Sequence, residues 1–120
     1  MLPASHRLTS TREFSEVIRR GRRAGSSTLV TSVLSPPPDS TGDAAGTTRA
    51  GFVVGRSVGD AVSRNRVKRR LRHLVGARLA ALPPGSRLVV RALAPAGRTP
   101  TTELTADLDR CLLRTARGRS

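Results

Sequence analysis

The longest helical pattern of apolar positions lies in the second half of the chain, between residues 67 and 82. The positions that follow the i, i+4, i+7, i+8 spacing of a helix with one buried face are Val67, Leu71, Leu74, Val75, Arg78, Leu79 and Leu82. Pro83-Pro84-Gly85 comes directly afterwards and is a strong stop signal, while Asp60 or Ser63 can cap the beginning. The pattern predicts a helix that ends before Pro83.

A shorter helix is predicted near the start of the chain. Ser10-Thr11-Arg12-Glu13 has the spacing of a capping box, in which the last side chain reaches back to the first amide. The apolar face consists of Phe14, Val17 and Ile18. Gly21 is expected to stop this helix after Arg20. Residues 1–8 show no periodicity and are expected to form an extended arm.

Three segments have the composition of strands, namely residues 27–34, 49–56 and 87–93. The first two are expected to form a hairpin with a long tip. Residues 36–48 between them contain no large apolar side chain and predict a flexible loop. In the third segment, Leu88, Val89 and Val90 are candidate buried positions.

The last part of the chain predicts a third helix, capped by Thr101 or Thr102 and running through Arg114. Its inner face consists of Leu104, Leu108, Cys111 and Leu112. Residues 115–120 are expected to form a flexible basic tail. A chain of 120 residues has room for one domain with a modest core. The order of helix, strands, helix, strand and helix therefore predicts a single α+β domain over residues 1–120.

The charge of the chain indicates that this domain binds a polyanion. Cations outnumber acids by 22 to 8, the net charge is +14, and the densest run lies between Ser63 and Leu74. At about 100° per residue, the polar side chains of this run flank the apolar stripe in two sectors. One sector holds Arg66, Arg69, Arg70 and His73, and the other holds Asn65, Lys68 and Arg72. Guanidinium groups donate paired hydrogen bonds to phosphate oxygens, so this helix predicts nucleic-acid contact.

The competing interpretation is an ordinary solvated helix surface. No acid lies between Asp60 and Glu103, so salt bridges one turn apart cannot account for these cations. A second basic cluster, Arg19-Arg20 and Arg22-Arg23, has two open interpretations. It either complements the dipole at the end of the first helix or makes a second phosphate contact.

No catalytic or metal-binding group of residues is evident. The acids are scattered, and Cys111 is the only cysteine, which leaves neither an internal disulfide nor a convincing zinc site. The glycine-bearing turn over residues 55–61 lacks the Lys-Ser/Thr ending of a P-loop. No segment approaches the roughly 20 apolar residues needed to cross a membrane, and no secretory hydrophobic region is present. A cytoplasmic protein is expected.

The turn into the basic helix carries a more specific pattern. The segment Arg56-Ser57-Val58-Gly59-Asp60-Ala61-Val62-Ser63-Arg64-Asn65-Arg66-Val67-Lys68-Arg69-Arg70-Leu71-Arg72 closely resembles the signature of the bacterial ribonuclease P protein component, in which a Gly-x-Ala-Val turn leads into an Arg-Asn-Arg helix. The resemblance extends to Leu2-Pro3, Arg7-Leu8 and Glu13-Phe14, and it covers most of the chain.

The resemblance implies a fold of α-β-β-β-α-β-α order with a four-stranded sheet and a left-handed βαβ crossover. Right-handed crossovers are the norm, so no pattern in the residues could indicate this handedness. It also implies a short extra strand, around Val58 or over residues 22–26.

The resemblance further implies a non-catalytic protein subunit of ribonuclease P, the endoribonuclease that matures the 5′ end of tRNA. In that family the RNA subunit is the catalyst and cleaves precursor tRNA with magnesium ions, which the RNA mainly binds. The implied partners are ribonuclease P RNA and the 5′ leader of precursor tRNA, with no membrane and no small-molecule substrate.

Carried over position by position, the resemblance assigns RNA contact to the basic helix: Arg64, Asn65, Arg66, Lys68, Arg69, Arg70 and Arg72. It assigns a leader-binding cleft to Phe14, Ile18 and Arg56. Ile18 stands where a second aromatic is common in the family, which implies leader recognition by apolar packing and arginine contacts more than by stacking. Phe52 is predicted to belong to the core.

Two alternatives from other classes remain at this point. One is a generic basic RNA-binding or ribosomal protein with no role in cleavage. The other is an amphipathic helix that binds anionic lipid, which the narrow aliphatic stripe without Trp or Phe disfavours. The Gly59-x-Ala61-Val62 turn that leads into Arg64-Asn65-Arg66 separates the ribonuclease P interpretation from both.

Overall fold

The computed structural model describes residues 4–36 and 47–117. The helices are α1 (Thr11–Arg20), α2 (Ala61–Gly76) and α3 (Thr101–Arg117), and the strands are β1 (Arg22–Gly25), β2 (Leu29–Leu34), β3 (Arg49–Val54) and β4 (Arg87–Ala92). Short 3-10 turns cover Ala4–His6, Arg56–Val58, Leu79–Ala81 and Ala94–Arg98. This α+β order agrees with the prediction. The extra strand is β1, whereas Val58 lies in a 3-10 turn.

The predictions for the loop and the two ends of the chain concern residues that the structure describes only in part. Most of the predicted loop over residues 36–48, the Leu2-Pro3 pair and the last three residues of the predicted tail lie outside the described residues. The tail prediction is wrong for residues 115–117, because α3 continues to Arg117. Thr115 is buried, and its hydroxyl donates to the Leu112 carbonyl at 2.8 Å, so this turn of helix packs and bonds like the turns before it.

The four strands form one sheet in the order β1-β2-β4-β3. β2 pairs antiparallel with β1 and β4, and β3 pairs parallel with β4. The predicted hairpin between β2 and β3 is therefore wrong. β4 lies between them because Leu88, Val89 and Val90 are all buried, which requires cover on both faces and a strand on each side. α2 connects the parallel pair β3 and β4; the left-handed crossover implied by the resemblance stays a prediction.

The helices cover both faces of the sheet. α2 lies against β3 and α3 against β1 and β2, whereas α1 lies against β2 and β4 and shares a small cluster with Val89 and Val53, which places it on the opposite face. The larger core lies between the sheet and the α2 and α3 helices. Its largest fully buried side chains are Leu29, Leu71, Leu88, Leu104 and Leu108. Each contributes roughly 1.5–3 kcal/mol by leaving water.

The start of α1 follows the prediction in one half of the capping box. The Ser10 hydroxyl accepts from the amides of Arg12 and Glu13, at 3.2 and 3.4 Å. The Glu13 carboxylate, however, binds the Arg49 guanidinium of β3, so the predicted return bond to Ser10 is wrong. An ion pair between α1 and β3 replaces the return bond because Arg49 lies on the face of the sheet that α1 covers.

α2 begins and ends at identifiable caps. The Asp60 carboxylate accepts from the Ser63 amide at 2.8 Å, as the cap prediction allowed. The helix ends at Gly76, earlier than predicted, and the predicted apolar positions Leu79 and Leu82 are buried beyond its end. The Arg78 guanidinium donates to the Leu74 carbonyl at 2.9 Å and pairs with Asp109 of α3. These bonds satisfy the end of α2 and join it to α3.

Candidate RNA interface

The cations of α2 surround the stripe that packs on the sheet. Val67, Leu71, Leu74 and Val75 are buried, as the helical spacing predicts. Asn65, Arg66 and Arg69 are exposed, while Arg64, Lys68, Arg70 and Arg72 are half-buried. Lys68 and Arg72 lie toward β3 and Arg66 and Arg69 lie away from it, which agrees with the two predicted sectors. The helix therefore offers cations on two sides.

These α2 cations lack acidic partners. Within residues 4–36 and 47–117, none of the cations between Arg64 and Arg72 forms an ion pair. The nearest acid in sequence, Asp60, is held at the helix cap, and its hydrogen bond from the Ser63 amide lowers the pKa of its carboxyl. The paired acids bind arginines of α1, the sheet and α3, and Arg78 just beyond the end of α2. A surface of unneutralised cations attracts a polyanion.

Two neighbouring grooves lie between α2 and the β3 edge, and Lys68 lines both. One, of about 250 Å³, is bounded by Val54, Ala61, Arg64, Asn65 and Lys68. The other, of about 140 Å³, is bounded by Arg7, Leu8, Phe14, Ala50, Gly51, Phe52, Lys68 and Arg72. In the described part of the chain, Arg64 Nε is a buried nitrogen without a hydrogen-bond partner. The grooves bring the predicted cations of α2 beside the predicted aromatic of α1.

Phe14 reaches the second groove because residue 51 is a glycine. A Cβ at this position would lie 2.3 Å from Phe14 Cζ, so the ring occupies the space that any larger residue would fill. The ring is half-buried and packs with Leu8, Val17 and Val89. Phe52 points to the other face of the sheet and packs against the larger core, which confirms that prediction, although it also borders the groove.

The remaining predicted cleft residues are placed differently. Ile18 lies one turn after Phe14 on α1 and is 44% exposed, which is high for an isoleucine and leaves its side chain available for contact. Arg56 is exposed in the 3-10 turn after β3 and borders neither groove. In the second basic cluster, Arg20 pairs weakly with Glu16 at 3.6 Å, and Arg19, Arg22 and Arg23 are exposed.

Sequence reasoning missed part of the second groove. Leu8 donates its amide to the Ala50 carbonyl at 2.8 Å, which fixes the N-terminal arm along β3. Gly51 was not identified as a site residue, although a glycine inside a strand often marks a close approach of another group. The arm and the strand are about 40 residues apart in sequence, so only the fold brings them together.

The fold and this surface define a class: an α+β RNA-binding protein with a cationic helix beside an aromatic groove. The family model for ribonuclease P matches residues 2–116. The ribonuclease P protein component of Streptomyces bikiniensis is 52% identical over 98% of both chains, and that of a Nocardioides strain is 54% identical over 95% of this chain and 94% of its own. The chain belongs to the ribonuclease P protein family.

Solved structures support the same fold. The ribonuclease P protein of Staphylococcus aureus superposes with a TM-score of 0.73 at 20% identity, over 89% of this chain and 92% of its own. A Thermotoga maritima ribonuclease P protein in complex with 1-(4-fluorophenyl)-2-thiourea gives 0.71 at 23% identity, over 87% and 94%. At these identities the structural similarity supports the fold alone.

Family membership fixes the role in outline. The chain is a protein subunit of ribonuclease P, part of an endoribonuclease complex of tRNA processing, and its partner is ribonuclease P RNA. The alternatives of a ribosomal protein and a lipid-binding helix are therefore not supported. In the described ranges, no helix combines the length and apolar character needed to span a membrane.

Proposed function

We propose that α2 binds the catalytic RNA of ribonuclease P through its cationic face. The contact residues in this proposal are Arg64, Asn65, Arg66, Lys68, Arg69, Arg70 and Arg72. The observation that carries it is the absence of ion pairs for these cations among the described residues, while Glu13, Glu16, Asp107 and Asp109 are paired with other arginines. Each guanidinium can then donate to a phosphate without first breaking a protein salt bridge.

The second part of the proposal concerns the 5′ leader of precursor tRNA. The leader lies along α1, where the Phe14 face and the exposed Ile18 offer apolar surface to unpaired bases. Lys68 and Arg72 border Phe14 and supply charge where the leader approaches α2. Arg56 is the weakest member of this set, since it borders neither groove, and it contacts RNA only if the strand bends around the end of β3.

Cleavage in this proposal belongs to the RNA subunit, and the protein contributes binding and positioning. Magnesium prefers oxygen ligands such as carboxylates. Within residues 4–36 and 47–117 there is no cluster of three acidic, histidine or cysteine side chains, and the carboxylates of Glu13, Glu16 and Asp109 bind arginines. We therefore propose phosphate oxygens of the RNA as the main ligands of the ion. We place the complex in the cytoplasm.

Binding to ribonuclease P RNA tests the assignment of α2. Arg64→Ala and Arg66→Ala are each expected to weaken binding and to reduce the slope of log K against log salt by roughly 0.7–0.9, the value of one lost phosphate contact. Arg12→Ala removes the same charge from the exposed surface of α1 and serves as the matched control. If Arg66→Ala keeps the slope of the control, the residue is a bystander and the assignment fails.

A further inference from the structure

A pocket of about 550 Å³ opens where the larger core reaches the surface between α3 and the turn that follows α2. Val33 of β2 lies at its floor, Leu112 and Leu113 line the wall of α3, and Leu82 and Pro83 line the wall of the turn. None of its lining residues borders either groove at β3. Pockets of this volume with mostly apolar walls are typical sites of small ligands.

The pocket lies at the opposite end of α2 from the first cations of that helix. α2 begins after the last residue of β3 and ends before the first residue of β4, and these two strands are parallel. From Arg64 to Gly76 the helix rises about 18 Å. Arg78, which lines the pocket, follows directly after this end. The pocket is therefore separate from the RNA contact proposed at the first turns of α2.

Two of the three charged groups at the pocket neutralise each other. Arg78 of the turn pairs with Asp109 of α3, and its Nη2 lies 3.3 Å from Asp109 Oδ2, so this pair joins the two walls. Arg22 of β1 is exposed, and its guanidinium has no hydrogen bond or ion pair within the described parts of the chain. One uncompensated positive charge therefore lies beside apolar walls.

Strand alternation directs Arg22 to the pocket and its neighbour Arg23 away from it. Arg22 is the register partner of Val33, which belongs to the larger core, and Ala24 on the same face is buried. Arg23 is the register partner of Ser32 and lies on the opposite face of the sheet. Both arginines are exposed. They therefore differ in the side of the sheet that they face, and Arg23 is a matched control for Arg22.

The mouth of the pocket exposes apolar surface to water. Leu113 is 54% exposed, although it lies beside the half-buried Leu112, which packs against the larger core. A ligand that covers Leu113 would remove this surface from water, and burial of apolar surface is the main source of affinity in such pockets. The site thus combines an apolar interior with one free cation at its edge.

We propose that this pocket binds an aliphatic monocarboxylate, with its hydrocarbon chain between Leu82, Leu112 and Leu113 and its carboxylate on the Arg22 guanidinium. A guanidinium donates paired hydrogen bonds to a carboxylate. A single negative charge suits the site, since a second charge on the ligand would approach the carboxylate of Asp109. The acid is a ligand of the fold and takes no part in cleavage. This inference goes beyond the proposed function, which would stand if the inference failed.

Methyl NMR of the full chain, titrated with butanoate, hexanoate and octanoate, tests the site. The Leu112 and Leu113 methyl signals are expected to shift, and the dissociation constant should fall about fourfold per added methylene. Arg22→Gln is expected to weaken octanoate binding about fivefold, the upper value for an exposed ion pair, whereas Arg23→Gln leaves it unchanged. Octanol, which has no charge, should bind equally to both variants. Ala81→Phe fills the pocket and should abolish the shifts.

Four results would overturn the inference. Octanoate could fail to shift the Leu112 and Leu113 methyl signals. It could bind Arg22→Gln and Arg23→Gln equally weakly, which would mean that it follows only the net charge of the protein. It could bind Ala81→Phe as it binds the wild type. Finally, a mass in sedimentation that rises with concentration, and does not rise for Ala81→Phe, would assign the pocket to a second copy of the chain. Arg22→Gln breaks no side-chain contact among the described residues, so its thermal unfolding is expected to match the wild type.

Discussion

Gly51→Ala is expected to expel the Phe14 ring from its place on β3. The added Cβ would lie 2.3 Å from Phe14 Cζ and 2.6 Å from Cε2, whereas carbon atoms in contact are about 3.5–4.0 Å apart. The ring must move by more than 1 Å, which disturbs its packing with Leu8 and Val17. Overpacking of this kind typically costs about 1–3 kcal/mol, and we expect a loss in the free energy of unfolding within that range.

Urea unfolding of the full chain measures this loss, and a second background isolates its cause. In a Phe14→Ala chain the space is empty, so Gly51→Ala is expected to cost nothing or to stabilise by about 0.4–1 kcal/mol through its effect on the unfolded chain. The double-mutant cycle should thus give a coupling energy of about 1–4 kcal/mol. Gly55→Ala is the matched control, because its Cβ meets nothing within 4 Å and its backbone is extended. Equal losses in both backgrounds would refute the contact between ring and glycine.

Three other predictions concern the leader, the acid pairs and the cap of α2. Phe14→Ala is expected to weaken cleavage of leader-bearing substrate more than binding of mature tRNA, and equal losses would leave Phe14 a core residue only. The hydrogen bond from Arg87 lowers the pKa of Glu16 below its ordinary value of 4.5. The pair therefore stabilises the fold above pH 4.5, and this stabilisation is lost as the pH falls through the lowered pKa. Relative to Glu16→Gln, the wild-type melting temperature should therefore fall in acid; a constant difference from pH 7 to pH 3 would contradict the pair. Asp60→Asn keeps a capping side chain and removes the acid beside α2, so it should tighten RNA binding at low salt, with a small fall in the melting temperature because the charge at the helix N-terminus is lost; unchanged affinity would place RNA away from this end of α2.

The sequence predicts the parts of the fold that depend on neighbours along the chain. The apolar spacing of α1 and of α2 as far as Val75, the Ser10 and Asp60 caps and the stop at Gly21 all act within a few residues, and the structure has each of them. The partner of Glu13 is different. Arg49 is 36 residues away in sequence. The Glu13 carboxylate can bind Arg49 instead of the Ser10 amide only because α1 lies across β3.

Strand order shows the same limit on a larger scale. Strands β2 and β3 follow one another in the chain, which favours a hairpin, but the apolar β4 pairs with both. The candidate site divides accordingly. The α2 cations can be identified from one helix and its periodicity, whereas the groove at Gly51 exists only because the fold brings Leu8 and Phe14 onto β3. No local pattern contains that arrangement.

We propose that this chain acts through RNA, binding the catalytic RNA by α2 while the RNA cleaves the substrate. The most direct measurement is single-turnover cleavage of a precursor tRNA at low magnesium, with ribonuclease P RNA alone, this protein alone, and both together. We expect 5′ leader removal only when both are present, and a weaker rescue with Arg66→Ala. Cleavage by the protein alone, or tight binding to the RNA without rescue, would contradict it.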